Sequence, residues 1–211
     1  MINSIKHALE TVQGLSNPSK MPCHGYSIPA SRCITGSKLA EIEGSICNQC
    51  YAQKGMYRFK NVQDALERRF QSLSNPDWIE AMTFLINKKK MQFFRWHDSG
   101  DIQSFSHLRK IALVCIHTPQ TKHWLPTRET KIVKEYLSKY GKFPSNLVVR
   151  ISAMSFDKKA PEGFAKKYGL CVSGASSNGS HTCPAYKQDN ACKDCRACWD
   201  QSVFSVDYKK H

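Results

Sequence analysis

The chain lacks any run of 18 uncharged apolar residues, and acidic side chains are scarce in it. Because a bilayer-spanning helix needs such a run, no transmembrane segment and no membrane partner are expected. The first residues, MINSIKHALETVQ, show the pattern of a short amphipathic helix without a long apolar stretch, so no secretory signal is expected. These absences together predict a cytoplasmic protein.

Cysteine, in contrast, is abundant, with 10 residues in a chain of 211. Thiols stay free in a reducing cytosol, so we interpret most of them as metal ligands rather than as disulfides. Cys115 and Cys171 lie in regular apolar segments and are expected to be buried hydrophobic residues. The eight candidate metal ligands form an N-terminal set, Cys23, Cys33, Cys47 and Cys50, and a C-terminal set, Cys183, Cys192, Cys195 and Cys198.

The composition predicts one domain over residues 1–211, made of three zones. Proline, glycine and cysteine make residues 1–58 and 173–211 irregular, Cys-rich segments. Between them, residues 59–172 alternate helix-period and strand-like patterns, with strands expected at 91–96, 122–127, 146–156 and 169–174. Such alternation predicts an α/β fold, either a partial (β/α) barrel or an open, mainly parallel sheet.

The C-terminal cysteines have a spacing typical of iron–sulfur proteins. Cys192, Cys195 and Cys198 follow a C-x2-C-x2-C pattern, and Cys183 is followed by proline, as in ferredoxin clusters. Four thiolates also suit zinc, which usually pairs two C-x2-C knuckles over a longer gap. We therefore expect a [4Fe–4S] cluster, with zinc as the alternative. The N-terminal set either forms a second site, or only Cys47 and Cys50 share one site with some of the C-terminal cysteines, which leaves Cys23 and Cys33 structural.

Polar residues follow the predicted strands, where α/β folds place their active sites. The candidate catalytic residues are His97, Asp98, Ser99, Asp101 and Glu129, and the candidate ligand-binding residues are Arg95, Thr127, Arg128, Arg150 and Ser173. His97 is the candidate acid/base, because an unperturbed imidazole titrates near neutrality. Arginines in or after strands favour a small anionic or polar substrate. The alternative for each arginine is a buried pairing with a carboxylate, and for Asp98 and Ser99 it is capping of the next helix.

Four segments in order resemble the phage-encoded gene product 88 family. They are CNQCYAQKG (47–55), RWHDSGDI (95–102), WLPTRE (124–129) and CPAYKQDNACKDCRACW (183–199). The resemblance spans most of the chain. It implies a bacteriophage origin, a location in the host cytoplasm and an iron–sulfur site, without indicating a particular reaction.

A more distant resemblance is to radical S-adenosylmethionine enzymes, which place three clustered cysteines before a partial (β/α) barrel. Cys33, Cys47 and Cys50, followed by Tyr51, match that role, and Ser99-Gly100-Asp101 matches the family's glycine-rich acidic motif. The spacing departs from the usual C-x3-C-x2-C, because thirteen residues separate Cys33 from Cys47. The resemblance implies S-adenosylmethionine as a cofactor.

Two other functions are predicted as alternatives. The first is an esterase-like hydrolase with a structural cluster, since Ser, His and Asp gather at the strand ends and Ser176 and His181 lie in the next loop. The second is a nucleic-acid-binding metalloprotein, since 31 Lys and Arg against 17 Asp and Glu give a formal net charge of +14. Aromatic residues interleave with the basic ones, as stacking on bases requires.

Overall fold

The computed structural model describes residues 1–175 and 182–209. Within these residues the strands are β1 (Gly25–Tyr26), β2 (Phe93–Trp96), β3 (Lys122–Thr127), β4 (Leu147–Ser152), β5 (Cys171–Ala175) and β6 (Ser205–Tyr208). The α-helices are α1 (Ile5–Val12), α2 (Ile34–Ala40), α3 (Lys60–Ser72), α4 (Trp78–Lys88), α5 (Phe105–His117), α6 (Thr130–Tyr140) and α7 (Glu162–Lys167). Several short 3₁₀ turns connect them.

Local sequence signals set the ends of several helices. The Ser4 hydroxyl accepts a hydrogen bond from the His7 nitrogen at 3.1 Å and caps α1. Ser104 caps α5 in the same way. Gly141 follows α6 with φ of 77°, a left-handed conformation that glycine adopts at little cost.

The strands lie side by side in chain order, from β1 to β6, and every neighbouring pair is parallel. Right-handed connections between strands in this order place the connecting helices on one face of the sheet. In the described part of the chain, β1 and β6 are the two edges, so the sheet is open and not closed into a barrel. The predicted α/β fold with an open parallel sheet is confirmed.

The two faces of the sheet carry different cores. Phe94 and Trp96 point to the helical face and belong to the main hydrophobic core. Phe93 and Trp124 point to the opposite face, where they pack against Trp199 of the C-terminal segment. The Trp199 indole nitrogen donates to the Phe94 carbonyl at 2.9 Å. The Cys-rich C-terminal segment therefore covers the sheet face that lacks helices.

The predicted strands at 91–96, 122–127, 146–156 and 169–174 are found as β2 to β5. The description of residues 1–58 and 173–211 as irregular needs correction, because these zones also contain β1, α2 and β6. These elements are only two to seven residues long. Such short elements lack the periodicity that marks longer ones.

Candidate metal and substrate site

The carboxyl ends of β2 and β3 meet at one buried carboxylate, that of Asp101. It accepts hydrogen bonds from Thr127 Oγ1 at 2.6 Å and from the backbone nitrogens of Arg128 at 2.9 Å and Ile102 at 2.8 Å. Burial raises the pKa of Asp101 to about 6, although all three hydrogen bonds favour the ionised form. The structure thus brings together three residues that the sequence predicted for the site, from two separate loops.

Glu129 connects the same edge to the cysteine-rich N-terminal segment. Its carboxylate accepts from the Thr35 backbone nitrogen at 2.7 Å and from the Thr35 hydroxyl at 2.8 Å. Thr35 stands in the first turn of α2, two residues after Cys33. On the other side, the Arg128 Nε donates to the Ala153 carbonyl at 3.0 Å, just after β4. The end of β3 is therefore attached to the start of α2 on one side and to the end of β4 on the other.

Three thiols, those of Cys33, Cys47 and Cys50, gather beside these residues. The sulfurs of Cys33 and Cys47 each lie 3.6 Å from the point that a Cβ on Gly36 would occupy, so both border the same small space. Burial raises the pKa of Cys33 and Cys47, and the neighbouring thiols, including that of Cys50, raise them further. The positive charge of Arg128 opposes both shifts. The site thus combines three neighbouring thiols with one nearby cation, Arg128.

Asp98 and Arg95 are attached to the segment that follows Cys50. Tyr51 donates to the Asp98 carbonyl and accepts from the Arg95 guanidinium at 3.3 Å. Tyr57 donates to the Asp98 carboxylate at 2.6 Å. The predicted residues Asp98 and Arg95 therefore hold the cysteine loop against the end of β2.

His97 lies apart from these thiols, on the helical side of the sheet. It has a φ of 55°, and its ring centroid is 5.2 Å from that of His107. Burial lowers its pKa well below the ordinary value, so the ring is neutral. Within the described residues, the two ring nitrogens of His97 have no hydrogen-bond partner, and neither has the Ser99 hydroxyl. The structure thus places these two predicted catalytic residues in buried positions without forming a serine–histidine pair.

The remaining serines add no such pair in the described ranges. Ser173 and Ser152 hydroxyls bond each other at 3.1 Å. Ser176 and His181 lie outside the described residues. The expectation that Asp98 or Ser99 caps the following helix is wrong, because Ser104 provides the cap of α5.

A second group of thiols lies on the sheet face that lacks helices. It contains the C-terminal set and one N-terminal cysteine, namely Cys23, Cys183, Cys192, Cys195 and Cys198. Cys23, Cys183 and Cys198 contact the same small apolar cluster. The Cys192 nitrogen donates to the Lys20 carbonyl at 3.0 Å, which attaches the C-terminal loop to the segment before Cys23. The cysteines therefore separate into two groups, with a membership that differs from the two sets in the sequence.

Arg150 is fully buried in β4 and points away from the carboxyl edge. Its guanidinium donates to the carbonyls of five residues at 2.7 to 3.3 Å, namely Val172, Ala197, Cys198, Asp200 and Phe204. Three of these carbonyls belong to the C-terminal segment between Ala197 and Asp200. Since these bonds engage all five N–H groups of the side chain, the predicted ligand-binding role of Arg150 is replaced by attachment of this segment to the sheet.

No three Cys, His, Asp or Glu side chains within residues 1–175 and 182–209 lie close enough together to bind a single metal ion. Ligands of one zinc ion share a centre at about 2.3 Å from each sulfur. The thiolates of a cubane cluster each bind a different iron, so they stand further apart than the ligands of one ion. The metal stays a prediction from the type and grouping of the donors.

Sequence reasoning did not identify Thr35, Gly36 or the grouping of Cys23 with the C-terminal cysteines. Thr35 and Gly36 lie in the Cys33-x13-Cys47 interval. Their closeness to Cys33 in the sequence is the signal that could have identified them. The position of Cys23 depends on contacts between residues about 170 positions apart in the chain, as with Cys192. Spacing along the chain does not reveal such contacts.

The fold and this site define an α/β protein with an open parallel sheet. Three thiols lie beside its polar carboxyl edge, and a second thiol group lies on the sheet face that lacks helices. A family model described as gene product 88 matches residues 3–201, and the chain belongs to this family. No curated protein and no solved structure matches the chain. Across the part of the chain that the structure describes, no helix is long and apolar enough to cross a membrane.

Proposed function

We propose that this protein is an iron–sulfur enzyme whose working cluster is held by Cys33, Cys47 and Cys50 at the carboxyl edge of the sheet. The observation that carries the proposal is the position of these thiols beside Asp101, Arg128 and the other polar residues of two strand ends. In open α/β sheets, ligands bind at this edge. The proposal therefore places cluster and substrate next to each other.

The donor set fits a cluster bound by three thiolates. The Cys33 and Cys47 sulfurs face one small space, which stays open because residue 36 is glycine. Burial raises the pKa of both thiols, and the positive charge of Arg128 opposes this shift and so favours the thiolate form that iron requires. A [4Fe–4S] cluster held by Cys33, Cys47 and Cys50 would supply the electron for reductive cleavage of S-adenosylmethionine.

The protein residues around this cluster have separate tasks in the proposal. Arg128 binds an anionic group of the substrate or cofactor, because a guanidinium pairs well with carboxylate or phosphate. Asp101, with its pKa raised to about 6 by burial, changes protonation near neutral pH and accepts hydrogen bonds from a polar ligand. Glu129 positions Thr35 and with it the Cys33 turn.

Reductive cleavage of S-adenosylmethionine by anaerobically purified, reduced protein tests the proposal. We expect cleavage products from the wild-type protein and a loss of at least 100-fold in rate for Cys50→Ala, since cluster binding requires all three thiolates. Cys171→Ala is the matched control, because this buried strand cysteine contacts neither thiol group and bonds the Gln201 carbonyl. Wild-type protein with an intact cluster and no cleavage would refute the cofactor, and equal rates in Cys50→Ala would refute the site.

The hydrolase and nucleic-acid alternatives have no structural observation in their favour. His97 and Ser99 lie apart from the cysteine site, and within the described residues their polar side-chain atoms are unpaired. Nucleic-acid binding stays a prediction from the charge of +14.

A further inference from the structure

The second thiol group, on the sheet face without helices, is built from two distant parts of the chain. Cys23 precedes β1, whereas the other members follow β5. The Cys192 nitrogen bonds the Lys20 carbonyl at 3.0 Å, and the Cys183 nitrogen bonds the Asp207 carbonyl of β6 at 2.7 Å. The Cys195 nitrogen bonds the Cys192 carbonyl at 2.9 Å, which forms the tight turn that a C-x2-C pair needs. These backbone contacts fix the chain beside the cysteines, and the thiols are close enough to interact electrostatically, Cys23 with Cys192, and Cys192 with Cys183 and Cys195.

We propose that Cys23, Cys183, Cys192 and Cys195 bind a second iron–sulfur cluster, separate from the one at the carboxyl edge, and that Cys198 is not one of its ligands. This inference rests on the proposed iron–sulfur chemistry of the chain, and it names four ligands from the structure. The sequence pattern predicted Cys198 in place of Cys23.

Cys198 differs from the other four cysteines in its surroundings. Its sulfur bonds the Tyr208 hydroxyl at 3.1 Å, and only 8% of the residue is exposed. It is a buried member of the small apolar cluster with Trp124 and Trp199, whereas Cys23 and Cys183 contact that cluster from partly buried positions. The Cys198 carbonyl accepts from Arg150. These contacts use Cys198 as a structural residue that attaches the C-terminal segment to the sheet.

Cys23, in contrast, is partly exposed and lies beside Cys192 and two arginines. The Arg95 guanidinium lies 4.4 Å from the centroid of the Trp124 ring, and the Arg196 guanidinium lies 5.2 Å from that of the Phe93 ring. Both rings belong to the small apolar cluster that Cys23 contacts. A cluster of four thiolates with [4Fe–4S]²⁺ carries a net charge of −2, so two neighbouring guanidinium groups compensate it.

Arg95 also lies between the two groups. Its guanidinium donates to Tyr51, which follows Cys50, and to the Met21 sulfur at 3.1 Å, two residues before Cys23. It stacks over the Trp124 ring with 4.4 Å to the centroid. One partly buried cation thus contacts the segments that carry both groups of thiols.

Iron and acid-labile sulfide, measured per chain in anaerobically purified protein, test this inference. Two cubane clusters give about eight iron atoms in the wild-type protein. We expect about four in the triple variant Cys33→Ala, Cys47→Ala, Cys50→Ala and about four in Cys23→Ala. Cys198→Ala, and Cys115→Ala as a control in the core of α5, keep about eight.

The outcomes separate this inference from the proposed function. Full iron in Cys23→Ala with half in Cys198→Ala would overturn the ligand assignment. About four iron atoms in wild-type protein, all lost in the triple variant, would overturn the second cluster and leave the proposed function standing. Undiminished iron in the triple variant would instead overturn the proposed function.

Alkylation of the wild-type protein decides the case if Cys23→Ala does not fold. We expect iodoacetamide to leave Cys23 unmodified until the iron is removed by oxidation and chelation, and then to label it, as read by peptide mass spectrometry. Labelling of Cys23 in iron-loaded protein would overturn its role as a ligand.

Discussion

Replacing Arg150 by methionine tests whether this buried cation attaches the C-terminal segment to the sheet. Its side chain is fully buried and donates to five carbonyls, three of them between Ala197 and Asp200. Methionine has similar length and no donors, so the variant removes the hydrogen bonds while it keeps much of the packing. The test therefore concerns the polar contacts alone.

The expected cost is about 3 kcal/mol. A hydrogen bond from a charged donor is worth about 1.5–3 kcal/mol, so five of them set a high upper bound. Three of the carbonyls, however, keep a backbone partner, since Ala197 bonds the Asp200 nitrogen, Asp200 bonds Val203, and Phe204 bonds Val172. Removing a buried cation also recovers its desolvation cost. The net loss should thus be about 3 kcal/mol, the cost of leaving one or two buried carbonyls without a partner at about 1–3 kcal/mol each.

Urea unfolding followed by tryptophan fluorescence measures this loss, because Trp124 and Trp199 are buried in the contact. With a slope of about 2 kcal/mol per molar urea, the midpoint should fall by about 1.5 M. Arg109→Met on the exposed side of α5 should change stability by less than about 0.5 kcal/mol. With the same slope of about 2 kcal/mol per molar urea, a midpoint for Arg150→Met that lies within about 0.3 M of the wild-type midpoint would refute the structural role.

Three further predictions concern stability. Tyr26→Phe should cost about 2 kcal/mol in urea, because the buried hydroxyl bonds the Val12 carbonyl at 2.9 Å along with other groups, and an unchanged midpoint would contradict it. Gly100→Ala should lower stability by about 3 kcal/mol in thermal unfolding, because φ is 81° and a Cβ would lie 2.7 Å from the Ile28 backbone oxygen. The control Gly163→Ala has open space around the new Cβ and should be neutral or stabilising. Burial lowers the pKa of His123 to about 3, so the unfolded chain binds a proton that the folded chain does not, and stability falls by about 1.4 kcal/mol per pH unit as the pH drops from 6 to 4. His123→Gln should flatten this slope by that amount, and an unchanged slope would argue against a neutral, buried ring.

The central part of the fold was predictable because its segments are long and periodic. Strand β3 was found at the predicted residues 122–127. The two edge strands were not predictable, because β1 has two residues and β6 four, in segments rich in Cys and Pro. Both exist because a neighbouring strand offers hydrogen bonds to them, which is a tertiary effect.

The grouping of polar residues at the carboxyl edge was predictable, whereas the orientation of each side chain was less so. The rule that ligands bind at the carboxyl edge placed Asp101, Thr127 and Arg128 together correctly, as their hydrogen bonds show. Arg150 was expected within a strand and pointing towards the same edge, yet its side chain lies on the sheet face that the C-terminal segment covers, since alternate residues of a strand point to opposite faces. Its contacts with a segment 50 positions away in the chain decided its role.

The separation of the cysteines into two groups shows where chain spacing fails. Cys33, Cys47 and Cys50 group together despite a gap of thirteen residues, because Thr35 and Glu129 hold α2 against the end of β3. Cys23 belongs to the N-terminal set in the sequence, but in the structure it lies with the C-terminal cysteines. Spacing in the sequence therefore identifies the candidate donors, whereas the fold decides which of them lie together.

The most direct test of the central claim is the electron paramagnetic resonance spectrum of the reduced protein with and without S-adenosylmethionine. The variant Cys23→Ala is used together with the wild-type protein, so that the signal of the cluster at Cys33, Cys47 and Cys50 is recorded by itself. An open iron at this cluster predicts that S-adenosylmethionine shifts the signal in both proteins, and that adding Cys50→Ala to the Cys23→Ala variant abolishes the signal. A signal that S-adenosylmethionine leaves unchanged, or that persists in the variant carrying both Cys23→Ala and Cys50→Ala, would contradict the account.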